Sequence, residues 1–209
     1  MENSESFRYS TPLNGIQTSR LILTSAVRNL RLEACNDIVE LYQARFRGYQ
    51  PVIHLQQGVL TIQPDAPFSG DNHSIQLCLN SAVLWEIEFR GGIQNVQADL
   101  RGIRLHAVDI LGDARQMALY LPRPAGASFL YVSGNIRDSS IHRPAGVGMR
   151  LIVSGGMEKC SFDHQIIHAV RAETSLESKD FLPEDGYYHF TVNGFAKSVT
   201  FADTKDDML

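Results

Sequence analysis

An all-β fold, a single-domain β-solenoid of the β-helix kind with a repeat of about 21 to 22 residues, is predicted by three features of this sequence. Glycines recur at 91, 112, 134 and 155, and Gly92, Asp113, Asn135 and Gly156 follow them directly. Apolar residues stand at fixed offsets on both sides of each glycine. The tetrapeptide Arg-Pro-Ala-Gly occurs twice, at 123–126 and 143–146, where one unit hands over to the next.

Gly, Asp and Asn accept positive φ more readily than other residues, so each of the four pairs predicts the same tight turn. Four and two residues before the glycines stand Ile87 and Phe89, Val108 and Ile110, Leu130 and Val132, and Leu151 and Val153. Two residues after them come Ile93, Ala114, Ile136 and Met157, and seven after come Ala98, Leu119, Ile141 and Phe162. The column five after holds Val96, Met117, Ser139 and Cys160, a buried face with one small polar member. A spacing of two predicts strand, glycine turn, strand in each unit. Pro122 and Pro144 each open a corner that closes on glycine, which ends a strand and sends the chain onward. One such unit cannot bury its own apolar face, so the units must stack, with neighbouring strands about 4.8 Å apart. The columns between carry the opposite chemistry: Asn95, Gln116, Asp138 and Lys159 in one, and Asp99, Tyr120, His142 and Asp163 in another.

Along the chain, residues 1–15 are polar or mixed and are expected to be a flexible N-terminus. The domain is expected over 16–202, opened by alternating strands at 20–24 and 29–34. The ladder extends upstream through Gly70 and Asp71, with Ala66, Phe68, Ile75 and Leu77 in register and Asn72 in place of an apolar residue. Gly48 fits more weakly, between Ala44 and Phe46 and between Ile53 and Leu55. The clearest repeats span 85–163, and Trp85 at their head is assigned to core or cap. Residues 164–189 lose the register and predict an irregular rung, with a turn at Pro183-Glu184-Asp185-Gly186. Gly194 restores it, flanked by Phe190, Val192, Ala196, Val199 and Phe201. Residues 203–209, with Asp203, Asp206 and Asp207, form an acidic tail suited to blunting an exposed end.

The 209 residues carry 19 Lys and Arg against 23 Asp and Glu, a formal charge of −4, with the basic residues scattered. That excludes the footprint of a nucleic-acid binder. Cys35, Cys78 and Cys160 form no closely spaced pair, and Cys160 in its inward column reads as a small buried hydrophobe. The polar, acidic start has no secretory pattern, and no stretch approaches the ~20 apolar residues of a membrane helix. A cytoplasmic protein with no direct membrane insertion is the expectation.

The runs WEIEFRGGIQNVQADL, VDILGDARQMALYLPRPAG, FLYVSGNIRDSSIHRPAG and MRLIVSGGMEKCSFD, from Trp85 to Asp163, resemble the C-terminal domain of bacterial cell-wall-active antibiotic response proteins. These are of the LiaF type, within the wider group of toastrack-like β-repeat domains. The resemblance covers somewhat under half of the chain strongly and most of the rest loosely, and its motifs are structural. It implies a β-helix-like interaction domain, often tethered to membrane segments, that takes part in envelope-stress signalling through protein partners. This chain departs from the pattern in having no membrane span, which implies a free-standing partner-binding or scaffold module.

Asp99 and Asp163 share a column, as do Glu88 and Asp109, so stacking could bring carboxylates together for acid–base work on a glycosidic bond. Asp99 and Asp163 are three rungs apart by sequence, too far for a close pair. Asp163, His164 and His168 are a metal candidate, but 164–170 has strand-like residues, and no Cys-x-x-Cys or His-Glu-x-x-His pattern supports it. No Gly-x-Ser-x-Gly elbow occurs, and the glycine pairs lead into no helix that could cradle phosphate. No catalytic residue, cofactor or metal is therefore expected. The binding candidates are Asp99, Tyr120, His142 and Asp163 in one outward column and Asp109 and Tyr131 in the other; Gly91, Gly112, Gly134, Gly155, Pro122 and Pro144 are assigned to turns. The expectation is a non-catalytic interaction or scaffold module with an unknown protein partner and homo-oligomer contacts through strand edges. A carbohydrate-binding or carbohydrate-cleaving β-helix and a structural assembly subunit are the alternatives.

Overall fold

The computed structural model describes residues 6–64 and 73–204. No helix occurs among them, so none is long and apolar enough to cross a membrane. The strands are β1 Ser6–Pro12, β2 Thr18–Leu23, β3 Val27–Cys35, β4 Glu40–Arg47, β5 Pro51–Gln56, β6 Val59–Pro64, β7 Ser74–Asn80, β8 Leu84–Phe89, β9 Ile93–Asp99 and β10 Arg104–Ile110. They continue with β11 Ala114–Tyr120, β12 Ala127–Val132, β13 Ile136–Pro144, β14 Gly148–Val153, β15 Met157–Phe162, β16 Gln165–Val170, β17 Thr174–Glu177, β18 Tyr187–Val192 and β19 Ala196–Thr204. All fall into two mixed sheets, one of ten strands in the order β1-β4-β7-β3-β9-β11-β13-β19-β15-β16 and one of nine in the order β17-β14-β18-β12-β10-β8-β2-β6-β5.

Each glycine turn carries the chain from the nine-stranded sheet to the ten-stranded one: β8 to β9, β10 to β11, β12 to β13, β14 to β15 and β18 to β19. The columns read from the sequence become cross-strand rows, for example Ile93 beside Ala114 and Ala114 beside Ile136. Trp85, Phe162, Phe190 and Phe201 are buried, and Phe190 of one sheet meets Phe201 of the other edge-on at 5.5 Å between centroids. The core therefore lies between the sheets. Burying each such side chain stabilises by about 1.5–3 kcal/mol.

The units do not stack in sequence order. Gly194 and its strands β18 and β19 lie between β12 and β14 in one sheet and between β13 and β15 in the other. Near the N-terminus β2 and β3 lie likewise between the strands of 59–80 and those of 84–99. Thus Gly91 has the 25–26 turn, not an upstream glycine, as its neighbour. The Gly70 turn lies outside the described residues.

At both ends the chain reverses. β4 and β5 run antiparallel to β7 and β6, and β16 and β17 run antiparallel to β15 and β14. The Gly48 turn therefore belongs to a reversed end unit, and the irregular rung at 164–189 contains the other one together with the start of β18. Residues 6–12, expected to fray, form β1 and pair with β4; residues 203–204 of the expected tail belong to β19. Alternation in Phe7, Tyr9 and Thr11, all half-buried, is what the strand requires.

The turn glycines are needed for a reason other than positive φ. Gly91, Gly112, Gly134 and Gly155 do not have it. A Cβ on Gly112 would lie 2.7 Å from the backbone nitrogen of Gly92, and one on Gly194 would lie 2.4 Å from the carbonyl oxygen of Gly134. Successive turns pass too closely for any side chain. Asp113 and Asn135 are not left-handed either: Asp113 Oδ1 accepts from the Asn135 amide at 2.8 Å, and Asn135 Oδ1 accepts from the Phe195 amide at 3.0 Å. Their carboxamide and carboxylate groups stitch one turn to the next.

Apart from Gly156, at φ 96°, positive φ in these units sits four residues after the turn position, which is glycine in all but the Ser25 turn. Asn29, Asn95, Gln116, Asp138, Lys159 and Ser198 all have φ between 49° and 55° and form one row across the ten-stranded sheet. A plain strand cannot turn Ile93 and Val96 both inward, because they are an odd number of residues apart. One left-handed residue between them resets the alternation, as in a β-bulge, at roughly 1–2 kcal/mol each. The hydroxyl of Ser139 accepts from the Met117 amide at 3.1 Å and donates to the Arg137 carbonyl at 2.7 Å, which explains the polar member of that inward column.

Cys35 and Cys78 lie on neighbouring strands, β3 and β7, and form a disulfide with Cα atoms 5.7 Å apart. Their sequence separation of 43 hides the pair from a reading of local spacing. Cys160 is buried, and burial raises its thiol above its ordinary range.

Candidate functional site

The outer face of the ten-stranded sheet carries the first candidate column. Asp99, Tyr120 and His142 are register partners on β9, β11 and β13. The Tyr120 and His142 rings stack at 4.8 Å and 11°, and the Arg101 guanidinium lies over Tyr120 at 5.4 Å. Arg101 also holds Asp99 through two hydrogen bonds of 2.9 and 2.7 Å. That side-chain contact keeps the Asp99 carboxyl below its usual range, whereas desolvation lowers the His142 imidazole below its own. Arg101, Tyr120 and His142 form a compact cation–aromatic stack, with Asp99 holding the arginine.

Asp163 does not join them. Its column is interrupted by Ala202 of the inserted β19, and its carboxylate accepts from Arg143 Nη2 at 2.6 Å. Arg143 is 1% exposed and also donates to the Val147 carbonyl at 2.7 Å. The pair closes the corner between β13 and β15. The Pro122 carbonyl, after β11, accepts from the Tyr188 hydroxyl at 2.6 Å, and the carbonyl of Pro144, the last residue of β13, accepts from the Val147 amide at 3.2 Å.

On the nine-stranded sheet Asp109 is the register partner of both Glu88 and Tyr131. Desolvation raises the Asp109 carboxyl. For Glu88 desolvation raises too, but hydrogen bonds and charge from Arg90 and Arg20 outweigh it and lower the group. Both Glu88 oxygens are engaged, one by Arg20 and the other by Arg90 at 2.5 Å. Glu88 therefore serves as a fixed counter-ion held by two guanidinium groups. His164 lies in the turn before β16 and His168 on β16 itself, and both are exposed. Among the described residues no cluster of three or more His, Cys, Asp or Glu could hold a metal.

Two surface features were not singled out from the sequence. Phe129, 45% exposed, stands next to His189 in the row beside Tyr131, with ring centroids 6.2 Å apart, and His106 meets it edge-on at 6.1 Å. Phe129 lies two residues before Tyr131, so strand parity alone places both on the outer face. The second is a depression of about 640 Å³ on the ten-stranded sheet near its N-terminal end, lined by Arg8, Arg31, Arg45, Glu33, Gln43 and Gln76 among others. It spans β1, β4, β7 and β3, whose neighbourhood no local pattern reveals.

No protein-family model matches the chain, and no curated protein matches it by sequence. Solved structures do. A protein of Clostridium sporogenes described as a putative cell adhesion protein superposes with a TM-score of 0.73 over 97% of this chain and 100% of that one, at 13% identity. A putative adhesin of Bacteroides fragilis aligns over 98% of both chains at 8% identity with a TM-score of 0.36. A putative adhesin of Parabacteroides merdae covers 97% of this chain and 98% of its own at 10% identity with a TM-score of 0.31. The first likeness defines a shared all-β fold; the other two fall too low to carry an argument.

Proposed function

We propose that this chain is a non-catalytic adhesion or protein-interaction module that binds through the outer face of its sheets. The observation that carries this reading is the row His106, Phe129, His189: a large apolar ring held in the open on a rigid sheet, between two imidazoles. Aromatics in such settings anchor interfaces. The naming of the Clostridium sporogenes protein as a putative cell adhesion protein supports this reading, and the occupied carboxylates Asp99, Asp163 and Glu88 favour binding over hydrolysis.

The stacked units are a β-solenoid of toastrack-like character in this reading, supported by the in-register rows of turns and left-handed residues. The Cys35–Cys78 disulfide favours an oxidising compartment over the cytoplasm. A LiaF-like signalling role in the envelope is a second reading, favoured by the glycine-turn ladder, and edge strands such as β16 would supply its homo-oligomer contacts.

Beads coated with the protein test the first reading by their retention on bacterial cells, epithelial monolayers and matrix proteins. Retention above albumin-coated beads on one of these surfaces, lost in Phe129→Asp at unchanged melting temperature, is the expected result. Failure to exceed albumin on every surface would sink it.

A further inference from the structure

We infer that the depression on the ten-stranded sheet is a binding site for an acidic saccharide, with Arg8 and Arg45 clamping its carboxylate or sulfate group. The inference deepens the adhesion reading by naming a ligand class, and it rests on that reading for its biological setting alone.

Arg8 and Arg45 are direct register partners on antiparallel β1 and β4. Gln76 on β7 and Arg31 on β3 continue the same row. Like charges placed directly opposite one another repel and weaken a sheet unless an anion lies between them. Glu33 engages Arg31, and Arg45 Nε donates to Ser6 Oγ at 2.9 Å. No carboxylate among the described residues pairs with Arg8 or Arg45. Two arginines on facing register positions, their backbones one strand spacing apart, suit a planar, doubly accepting anion.

The rest of the lining selects among anionic ligands. Gln76 is exposed and offers donors and an acceptor, and exposed Gln43, whose amide donates to Glu40 at 3.2 Å, adds a carbonyl acceptor, which suits the hydroxyls of a sugar. Tyr9 is the single aromatic residue lining the depression; it is half-buried, with its ring edge-on against Phe46 at 5.9 Å. There is no open ring on which a nucleic-acid base could stack, and no apolar pocket of the kind an anchoring peptide side chain fills. The net charge of −4 makes the site a local feature, not part of a general basic surface.

The test is titration of the intact, oxidised protein by calorimetry with a heparin oligosaccharide, a hyaluronan oligosaccharide, a neutral dextran fragment and a single-stranded oligonucleotide of matched charge. The heparin and hyaluronan arms distinguish sulfate from carboxylate. Binding of at least one acidic saccharide, weakening with salt and absent for dextran, is expected. Arg8→Gln with Arg45→Gln should weaken it by about tenfold or more, the loss expected for a charge-assisted fork. Arg115→Gln with Arg137→Gln, on the same sheet and exposed, should leave it within about twofold. Thermal melts establish that both variants fold, and a single Arg8→Gln serves if the pair does not. No saccharide binding, equal loss in both double variants, or tighter binding of the oligonucleotide would overturn the inference. Bead retention that still depends on Phe129 would then leave the adhesion reading standing.

Discussion

The middle of the molecule and its C-terminal third use the same glycine column in different ways. From β8 to β13 each unit lies on the one before it in sequence. Beyond β13 the chain skips a place, lays down β14 and β15, makes the reversed end unit, and returns to fill the gap with β18 and β19. The rows are equally regular in both regions. Repeat columns therefore specify how units stack, and something else specifies which unit stacks where.

The distinguishing contacts are those that the repeat does not share. The two Arg-Pro-Ala-Gly corners are identical in sequence, yet Arg123 is exposed and donates to the Ala145 carbonyl at 3.0 Å, whereas Arg143 is buried against Asp163. Tyr188 is fully buried with its hydroxyl on Pro122, and its partners in the row are Ser128 and Met149, not tyrosines. These contacts fix the order of the C-terminal units, and substitutions there should cost more than matching changes in the middle.

The largest effect is expected for Asp163→Ala, which leaves the buried Arg143 guanidinium without its counter-charge. It should destabilise by about 3–5 kcal/mol in denaturant unfolding, whereas Asp99→Ala, at an exposed pair, should cost about 1 kcal/mol or less. Next, Gly194→Ala places a Cβ against backbone of Gly134 and should cost about 1–3 kcal/mol, while Gly126→Ala, with nothing within 4 Å, should be near neutral. Tyr188→Phe removes one buried hydrogen bond and should cost about 1–2 kcal/mol by the same measurement.

The smallest effect concerns pH. Desolvation raises the folded-state pKa of Asp109, so the folded state holds this proton more tightly than the unfolded chain. The contribution of the residue to stability is therefore favourable at low pH and is lost as pH rises through the shifted value. Asp109→Asn should raise the melting temperature at pH 7 more than at pH 4; an equal shift at both would contradict the assignment.

The sequence makes the inward columns legible because Ile93, Ala98 and their equivalents recur at constant offsets. It does not make the kink legible, since the polar identities of Asn95, Gln116, Asp138 and Lys159 suit an outward residue as well as a left-handed one. Stacking order is hidden for a related reason: interchangeable rows leave Gly194 and Gly134 equally good neighbours for Gly155. Of the candidate residues, Tyr120, His142 and Asp99 meet because they share a column of consecutive units, and Asp163 fails to join because β19 intervenes. Phe129 was readable from parity with Tyr131. Arg8 and Arg45 were not, because an antiparallel pairing across more than 30 residues leaves no periodic trace.

Engineered cysteines on the outer face test the inserted order most directly. Ser140 and Thr200 are register partners, whereas Ser140 and Ser161 are separated by the intervening strand, about 10 Å. Disulfides require Cα atoms within about 7 Å. Under oxidation Ser140→Cys with Thr200→Cys should cross-link and Ser140→Cys with Ser161→Cys should not; cross-linking of the second pair in place of the first would contradict the interleaved fold.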